Sequence, residues 1–467
     1  MGRNDRLVKN TFILSLGVFL PKLASFITLP ILTAYLTQVE YGSYDLITVL
    51  VSLLLPSVTL QIQTAAFRFL IDAREDESRQ KEIITNIFAL IVPTSIVALV
   101  IFFFVATMIE PLIRLLVCVY FFVDMLVIAL RQVARGLAHN LFYSISAIVS
   151  VVANMLLVIL TVWLLRGGLT GTILALTISA FISLIYLSVS LKVWKYLDLS
   201  LFNTKTLKEM VGYSWPMVPN EMSLWVMRMS DRFVITIFMG VAANAVYAVA
   251  NKIPSIINLA QGAFTLAWQE NAAVVSKDED ASKYYSSMFR TMMNLQAGFL
   301  GIVIGITPIL FEILIRGDYE ESYNQIPILC LAIFYSSMAT FLGGIYVAYK
   351  RSKDVGITTM LAAVINIVVD LSLIQKIGLY AASGSTLVSY IALLIYRMID
   401  VKKIVNIKYD MKNIAIVNVL VVALACLSMY RTPVGYIITA ISGTVIFIAL
   451  NRDLITTLVR KILKNSF

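Results

Sequence analysis

The sequence has little charge, one histidine and few cysteines. Only 14% of its 467 residues are charged, against about a quarter in soluble domains. Cys118, Cys330 and Cys426 all lie in apolar stretches, which favours small buried side chains over a disulfide or a metal site. No G-x-x-x-x-G-K-[ST] motif occurs, so ATP hydrolysis within this chain is not expected. We therefore predict no cofactor, no metal and no enzymatic activity.

Long apolar runs are the most abundant feature of the chain. Hydrophobic residues make up 60% of it, and runs of about twenty residues match the thickness of a bilayer core when they are helical. The predicted fold is an all-α polytopic membrane protein with about fourteen transmembrane helices. A count of twelve spans followed by a re-entrant hairpin is the alternative. The fourteen predicted segments are 11–36, 43–70, 83–108, 112–136, 141–165, 169–191, 210–238, 244–275, 284–315, 324–349, 355–375, 378–400, 413–430 and 434–450.

Basic residues alternate between the two ends of these segments. With the amino terminus inside, 28 of the 37 Lys and Arg residues fall at cytoplasmic ends, as the positive-inside rule requires. This alternation predicts that both termini are cytoplasmic. It also explains the net charge of +10 without nucleic acid, because basic loops are attracted to anionic membrane lipid. The tail 451–467 is basic and amphipathic, and we expect it to lie on the cytoplasmic leaflet.

The chain contains two related halves. Tyr44 and Tyr247 each follow a small residue where a second helix begins, and Asn154 and Asn366 each precede a Gly-Leu turn. Matching helices start on the same membrane side, so the repeat is parallel, as in alternating-access transporters. The predicted domains are an N-terminal six-helix lobe (1–195), a C-terminal six-helix lobe (196–408), an extra helix pair (409–450) and the tail (451–467).

Ionisable residues concentrate in the seventh predicted helix. Glu221, Trp225, Arg228 and Arg232 share one helical face, and Asp231 lies beside it, one turn from Arg228. Charged groups at membrane depth usually face a cavity or a partner, because burying them in lipid is unfavourable. An Arg228–Asp231 ion pair that only locks the helix is the alternative interpretation for Asp231.

Other ionisable residues occur in the remaining helices. Lys22 lies near the middle of the first helix, and Lys252 is shallower in the eighth. Asp124 could pair with Lys22 or carry a proton, whereas Glu270 and Asp370 fall near helix ends and are expected at the interface. Positive charge from both lobes predicts a cavity for an anionic, phosphorylated substrate. The predicted substrate-binding residues are Lys22, Arg228, Arg232 and Lys252, and the candidate ion-coupling residues are Asp124, Glu221 and Asp231.

Several short motifs are spread over the chain from residue 9 to about residue 450. They are Lys9–Thr11, Pro21–Lys22, Leu29–Pro30, Leu36–Thr37, Glu40–Gly42, Arg131, Arg135–Gly136, Asp231–Gly240, Tyr247–Pro254, Ala267–Glu270 and Gly378–Ala382. These motifs resemble those of bacterial polysaccharide-unit flippases, the Wzx-type branch of the multidrug/oligosaccharidyl-lipid/polysaccharide exporter superfamily. The resemblance implies translocation of undecaprenyl-diphosphate-linked oligosaccharide units across the bacterial cytoplasmic membrane, coupled to an ion gradient. The family would have an apolar residue where this chain has Asp370.

The sequence is compatible with two other functions. A multidrug exporter of the same superfamily would need acidic residues in its cavity for cationic drugs. A membrane-embedded glycan polymerase or ligase would need a long external loop with catalytic groups, and the predicted external loops are short. A flippase would work alongside a polysaccharide polymerase and other assembly proteins, which are its expected partners.

Overall fold

A computed structural model describes residues 24–107, 109–452 and 455–456. These residues form helices, joined by short loops, and no strand. Eleven of the described helices are long and apolar enough to cross a membrane. The predicted all-α polytopic membrane fold is confirmed. Lys22 and most of the tail 451–467 lie outside the described residues.

The chain divides into two compact units, Met1–Trp225 (unit 1) and Val226–Phe467 (unit 2). The division falls inside the helix Met217–Met239, whereas the sequence placed the boundary at 195/196. The predicted lobe limits stay a prediction. The helices up to the division are α1 (Ala24–Tyr35), α2 (Gln38–Thr59), α3 (Ile62–Asp72), α4 (Glu77–Val105), α5 (Pro111–Gly136), α6 (Asn140–Val158, continued by a π-helix over Ile159–Leu164), α7 (Gly168–Leu191), α8 (Thr204–Ser214) and α9 (Met217–Met239).

Unit 2 contains the end of α9 and eight further helices in the described residues. They are α10 (Val241–Ala250), α11 (Ser255–Val275), α12 (Ala281–Leu314), α13 (Glu320–Ala348), α14 (Ser352–Ile377), α15 (Leu379–Asp400), α16 (Met411–Ser428) and α17 (Pro433–Leu450). The most buried of the long apolar helices is α13, which packs against α10, α11, α12 and α15. The predicted extra pair is α16 and α17, and α17 packs along α12.

Local signals explain where several helices begin. Thr37 and Glu40 form a reciprocal capping box at the start of α2, which satisfies backbone N–H groups that have no partner within the helix. Pro111 and Pro433 occupy the first turn of α5 and of α17, where a missing N–H has no consequence.

Three predicted segments are each divided into two helices. The segment 43–70 breaks at Leu60 and Gln61, which have positive φ values of 49° and 56°. The segment 210–238 breaks before Met217, next to Pro216, and 244–275 breaks before Ser255, next to Pro254. Proline accounts for the last two breaks because it cannot donate a helical hydrogen bond.

The packing within each unit repeats. In unit 1, α5 and α6 both pack against α7; in unit 2, α13 and α14 both pack against α15. These are the fourth, fifth and sixth spans of each predicted half. Cys118 and Cys330 are buried as expected, but Cys426 is exposed on α16, so the expectation that all three cysteines are buried was wrong.

Candidate functional site: a buried carboxylate cluster in unit 2

Helix α9 carries both exposed and buried ionisable side chains. Glu221 and Arg228 are exposed, whereas Asp231 and Arg232 are buried. No ion pair in the described part of the chain joins Arg228 to Asp231, although they lie one turn apart. Asp231 therefore does not serve as the partner of Arg228, and the helix-locking interpretation was wrong.

Asp231 is instead held by neutral donors from three other helices. Oδ2 accepts hydrogen bonds from Tyr247 Oη of α10 at 2.8 Å and from Thr386 Oγ1 of α15 at 2.7 Å. With the Asn366 amide turned so that its nitrogen faces the carboxylate, Nδ2 donates to Oδ1 at 3.0 Å. The side chain is 4% exposed. These bonds fix the carboxylate without neutralising its charge.

Asp370 is the second carboxylate of the cluster. It follows Asn366 by four residues on α14, so the two share one helical face. Asp370 is 1% exposed, and neither Oδ1 nor Oδ2 accepts a hydrogen bond from any described residue. Asn366, one turn away on the same face, is the residue that donates to Asp231 Oδ1. Asp370 was expected at the membrane interface; within the protein it is buried, seven residues before the end of α14 at Ile377, where α15 folds back along that helix.

Two glycines in tight turns bring these helices together. Gly240 separates α9 from α10 with a φ of 93°, and Gly378 separates α14 from α15 with a φ of 57°. Both values are strained for residues with a Cβ atom. The first turn returns the chain so that Tyr247 reaches Asp231; the second places Thr386 near Asn366. The sequence identified the Gly378 turn as part of a repeat, but it did not indicate that this turn brings the residues of the cluster together.

The chemistry of the cluster is limited to oxygen ligands and an amide. Two carboxylates with hydroxyl groups and a carboxamide suit hard cations or protons. Among the described residues no group of three or more His, Cys, Asp or Glu side chains could hold a metal ion. An ionised carboxylate that is buried without a hydrogen-bond donor is unfavourable, so the Asp370 side chain favours a site that takes up positive charge.

The predicted substrate-binding residues do not share one environment. Arg228 is exposed, Arg232 is buried, and Lys252 is half-buried in the break between α10 and α11. Lys22 lies outside the described residues. Of the three that are described, Arg228 is the one most accessible to a ligand.

In unit 1, the candidate Asp124 is half-buried on α5. No hydrogen bond or ion pair joins it to another described residue, and the predicted partner Lys22 is not among them. Arg131, on the same helix, donates to Ser146 Oγ at 3.1 Å, to Ser146 O at 3.2 Å and to Ser183 Oγ at 3.3 Å. This arginine therefore joins α5 to α6 and α7.

Four members of the cluster were not predicted as site residues: Tyr247, Asn366, Asp370 and Thr386. Asn366 stood out only as a repeated position, and Tyr247 as a repeated position and as part of the stretch Tyr247–Pro254 that carries the family resemblance. The four-residue spacing of Asn366 and Asp370 was the available signal. Thr386 gave none, because hydroxyl side chains are common in membrane helices and bond to their own backbone.

Comparison with known families supports the interpretation of the fold. A family model described as polysaccharide biosynthesis protein matches residues 7–268. The chain belongs to this family. Its predicted resemblance to polysaccharide-unit flippases is thereby confirmed at the level of the family. No curated protein matches it in a sequence comparison.

Solved structures share the fold of this polysaccharide biosynthesis protein at low identity. The lipid II flippase MurJ in an inward closed conformation matches with a TM-score of 0.67 and 11% identity, covering 95% of this chain and all of that chain. An inward-facing multidrug resistance MATE family transporter of the MOP superfamily also gives a TM-score of 0.67 and 11% identity, covering 83% and 98%. A MATE transporter from Vibrio cholerae gives 0.57 and 11%, covering 85% and 97%. Family and fold together support a flippase or exporter role in a multi-pass membrane protein.

Proposed function

We propose that this chain is a secondary transporter that flips undecaprenyl-diphosphate-linked oligosaccharide units across the bacterial cytoplasmic membrane by alternating access. The family match supports a role in polysaccharide biosynthesis, and the fold supports transport rather than catalysis. The observation that carries the proposal is Asp370, a buried carboxylate without a hydrogen-bond donor among the described residues, one helical turn from Asn366, which donates to the buried Asp231.

The Asp231–Asp370 pair would take up the coupling cation. An ionised carboxylate buried without a partner is strongly unfavourable, so such a group is neutralised by a proton or by a bound cation. Helices α9, α10, α14 and α15 all contribute to the cluster, so occupancy by a cation would stabilise one arrangement of these helices over another. A ligand shifts a conformational equilibrium through such a difference in affinity. Cation uptake at this cluster would thereby couple the ion gradient to the conformational change of the transporter.

The anionic end of the substrate would meet basic side chains. Arg228 is exposed, and its guanidinium group can donate two parallel hydrogen bonds to two oxygens of a diphosphate. Lys22, Arg232 and Lys252 are the other proposed contributors, and Asp124 and Glu221 stay candidates for ion coupling. An exposed guanidinium favours an anionic substrate over the cationic drugs of the exporter alternative.

Transport in proteoliposomes tests the coupling. Wild-type protein should flip a lipid-linked oligosaccharide faster when either a Na⁺ gradient or a pH gradient is imposed, and the gradient that works identifies the cation. Asp370→Asn and Asp231→Asn should remove that acceleration. Glu270→Gln is the matched control, because Glu270 is an exposed carboxylate of the same unit.

Two results would contradict the proposal. Acceleration of Asp370→Asn and Asp231→Asn equal to that of the wild type would exclude this pair as the coupling site. If folded wild-type protein flips no lipid-linked oligosaccharide but exports cationic drugs, the multidrug exporter would be the favoured function.

A further inference from the structure

A second feature of unit 2 is an apolar cavity beside α16, the first helix of the extra pair. Its volume is about 420 Å³, within the ~300–1,000 Å³ range of ligand pockets. Helices α12, α13, α15 and α16 form its walls. Most of its lining side chains are aliphatic, aromatic or Met residues, and its polar lining comes from Tyr335, Lys402, Tyr409 and Asn418.

The polar groups of the cavity are of two kinds. Tyr335 and Asn418 hydrogen-bond to each other across α13 and α16, so they are satisfied. Tyr409 Oη, in contrast, is buried and makes no hydrogen bond with the described residues. A buried hydroxyl of this kind calls for an acceptor that the described chain does not supply.

Lys402 supplies a positive charge at the same cavity. Its Nζ lies 5.2 Å from the centre of the Tyr409 ring, in a cation–π contact. The two nearest acidic residues in sequence have other partners, because Asp400 pairs with Lys403 at 2.8 Å and Asp410 pairs with Arg290 at 3.3 Å. No carboxylate among the described residues forms an ion pair with Lys402.

The position of Lys402 indicates where its ligand comes from. It lies in the short 3-10 helix Val401–Lys403 at the end of α15. This end belongs to the most basic of the loops that the charge pattern predicts to be cytoplasmic, with Lys403, Lys408 and Lys412 nearby in sequence. Anionic lipids of the inner surface are attracted to such loops.

We propose that this cavity binds one anionic glycerophospholipid of the membrane, with its phosphate at Lys402 and Tyr409 and an acyl chain among the apolar walls. A phosphodiester carries one negative charge, which the charge of Lys402 matches. A polyprenyl diphosphate carries more charge and would favour arginine forks, which this cavity does not contain. The extra helix pair thereby acquires a role, since Met411, Ile414 and Asn418 of α16 form one wall.

Native mass spectrometry of the full-length protein tests this site. Protein is released from micelles that contain equal amounts of phosphatidylglycerol and phosphatidylcholine. It should retain one bound phosphatidylglycerol molecule in preference to phosphatidylcholine. Lys402→Gln should weaken that retention about fivefold, the effect of about one lysine at an anionic surface. Lys408→Gln is the matched control, because Lys408 is an exposed lysine of the same loop that does not line the cavity.

A second variant probes the apolar part. Ile395→Trp fills the cavity from an exposed position of its wall and should reduce retention of the lipid while leaving the unfolding temperature in phosphatidylcholine micelles unchanged. Equal losses in Lys402→Gln and Lys408→Gln would show only general electrostatic attraction and overturn the proposal. Equal retention of both lipids by the wild type would overturn it too. Displacement of the bound lipid by an undecaprenyl diphosphate probe at equal concentration would assign the cavity to the substrate instead.

Discussion

Gly301 of α12 and Gly443 of α17 pack backbone against backbone. A Cβ atom built on Gly301 would lie 2.9 Å from the carbonyl oxygen of Gly443, closer than real Cβ atoms approach. Gly305 meets Ala440 in the same way one turn further along. Small residues spaced by four let membrane helices approach closely, and association there depends on such packing because lipid supplies no hydrophobic driving force between helices.

Gly443→Ala should therefore separate α17 from α12 and destabilise unit 2. Overpacking of this kind costs about 1–3 kcal/mol, and the thermal unfolding midpoint of the purified protein should fall by several degrees. Gly356→Ala is the matched control, because a Cβ atom there meets nothing within 4 Å. An unchanged midpoint for Gly443→Ala would show that the helix contact adjusts without loss.

Arg397 should be a stabilising residue of unit 2. It is 3% exposed and donates to Ala339 O of α13 at 2.8 Å and to Thr358 Oγ1 of α14 at 2.9 Å, among other acceptors of α14. A hydrogen bond from a charged group contributes about 1.5–3 kcal/mol. Arg397→Ala should thus lower stability by more than about 2 kcal/mol, measured as a lower unfolding midpoint.

The comparison for Arg397 is Arg351→Ala. Arg351 is exposed at the N-cap of α14 and pairs with Asp354 in the first turn of that helix, and such surface pairs contribute only about 0–1 kcal/mol. Similar midpoints for Arg397→Ala and Arg351→Ala would show that the buried guanidinium does not hold the three helices together.

The sequence predicted most of the spans, because bilayer thickness imposes a length and a composition that hydropathy detects. Eleven described helices are long and apolar enough to cross a membrane, against about fourteen predicted. The breaks at Gln61 and Pro254 were missed because hydropathy averaging over a span does not register a local change in backbone direction. The cluster was missed for a different reason. Position along the sequence gives the depth of Asp370 in its helix, but not which helix covers it; the contact with α15 depends on the Gly378 turn and on packing.

Asp370→Asn should make the stability of the protein independent of the coupling cation. If the carboxylates Asp231 and Asp370 bind the coupling cation in the folded protein, as proposed, added cation should raise the unfolding midpoint of the wild type. Asp370→Asn removes one carboxylate charge and should therefore abolish cation binding. Without added cation, the midpoint of this variant should be equal to or above that of the wild type, because the variant no longer buries an unpartnered charge. Thermal unfolding with and without NaCl, against choline chloride and across pH, measures this. A salt response of Asp370→Asn identical to that of the wild type would locate the cation elsewhere.

Arg228 gives the most discriminating test of the substrate. It is exposed on α9 and forms no ion pair with Asp231 or with any other described carboxylate. If a diphosphate binds there, Arg228→Lys keeps the charge but loses the bidentate geometry, Arg228→Ala loses both, and Arg228→Glu repels the ligand. Activity should follow the order Arg, Lys, Ala, with Glu inactive, at unchanged abundance in the membrane. Complementation of surface polysaccharide in a strain that lacks this protein measures it, and Arg452→Glu, also exposed, should complement fully. Full complementation by folded Arg228→Ala and Arg228→Glu would place the diphosphate elsewhere, and the predicted cationic site would then have to depend on Lys22, Arg232 or Lys252.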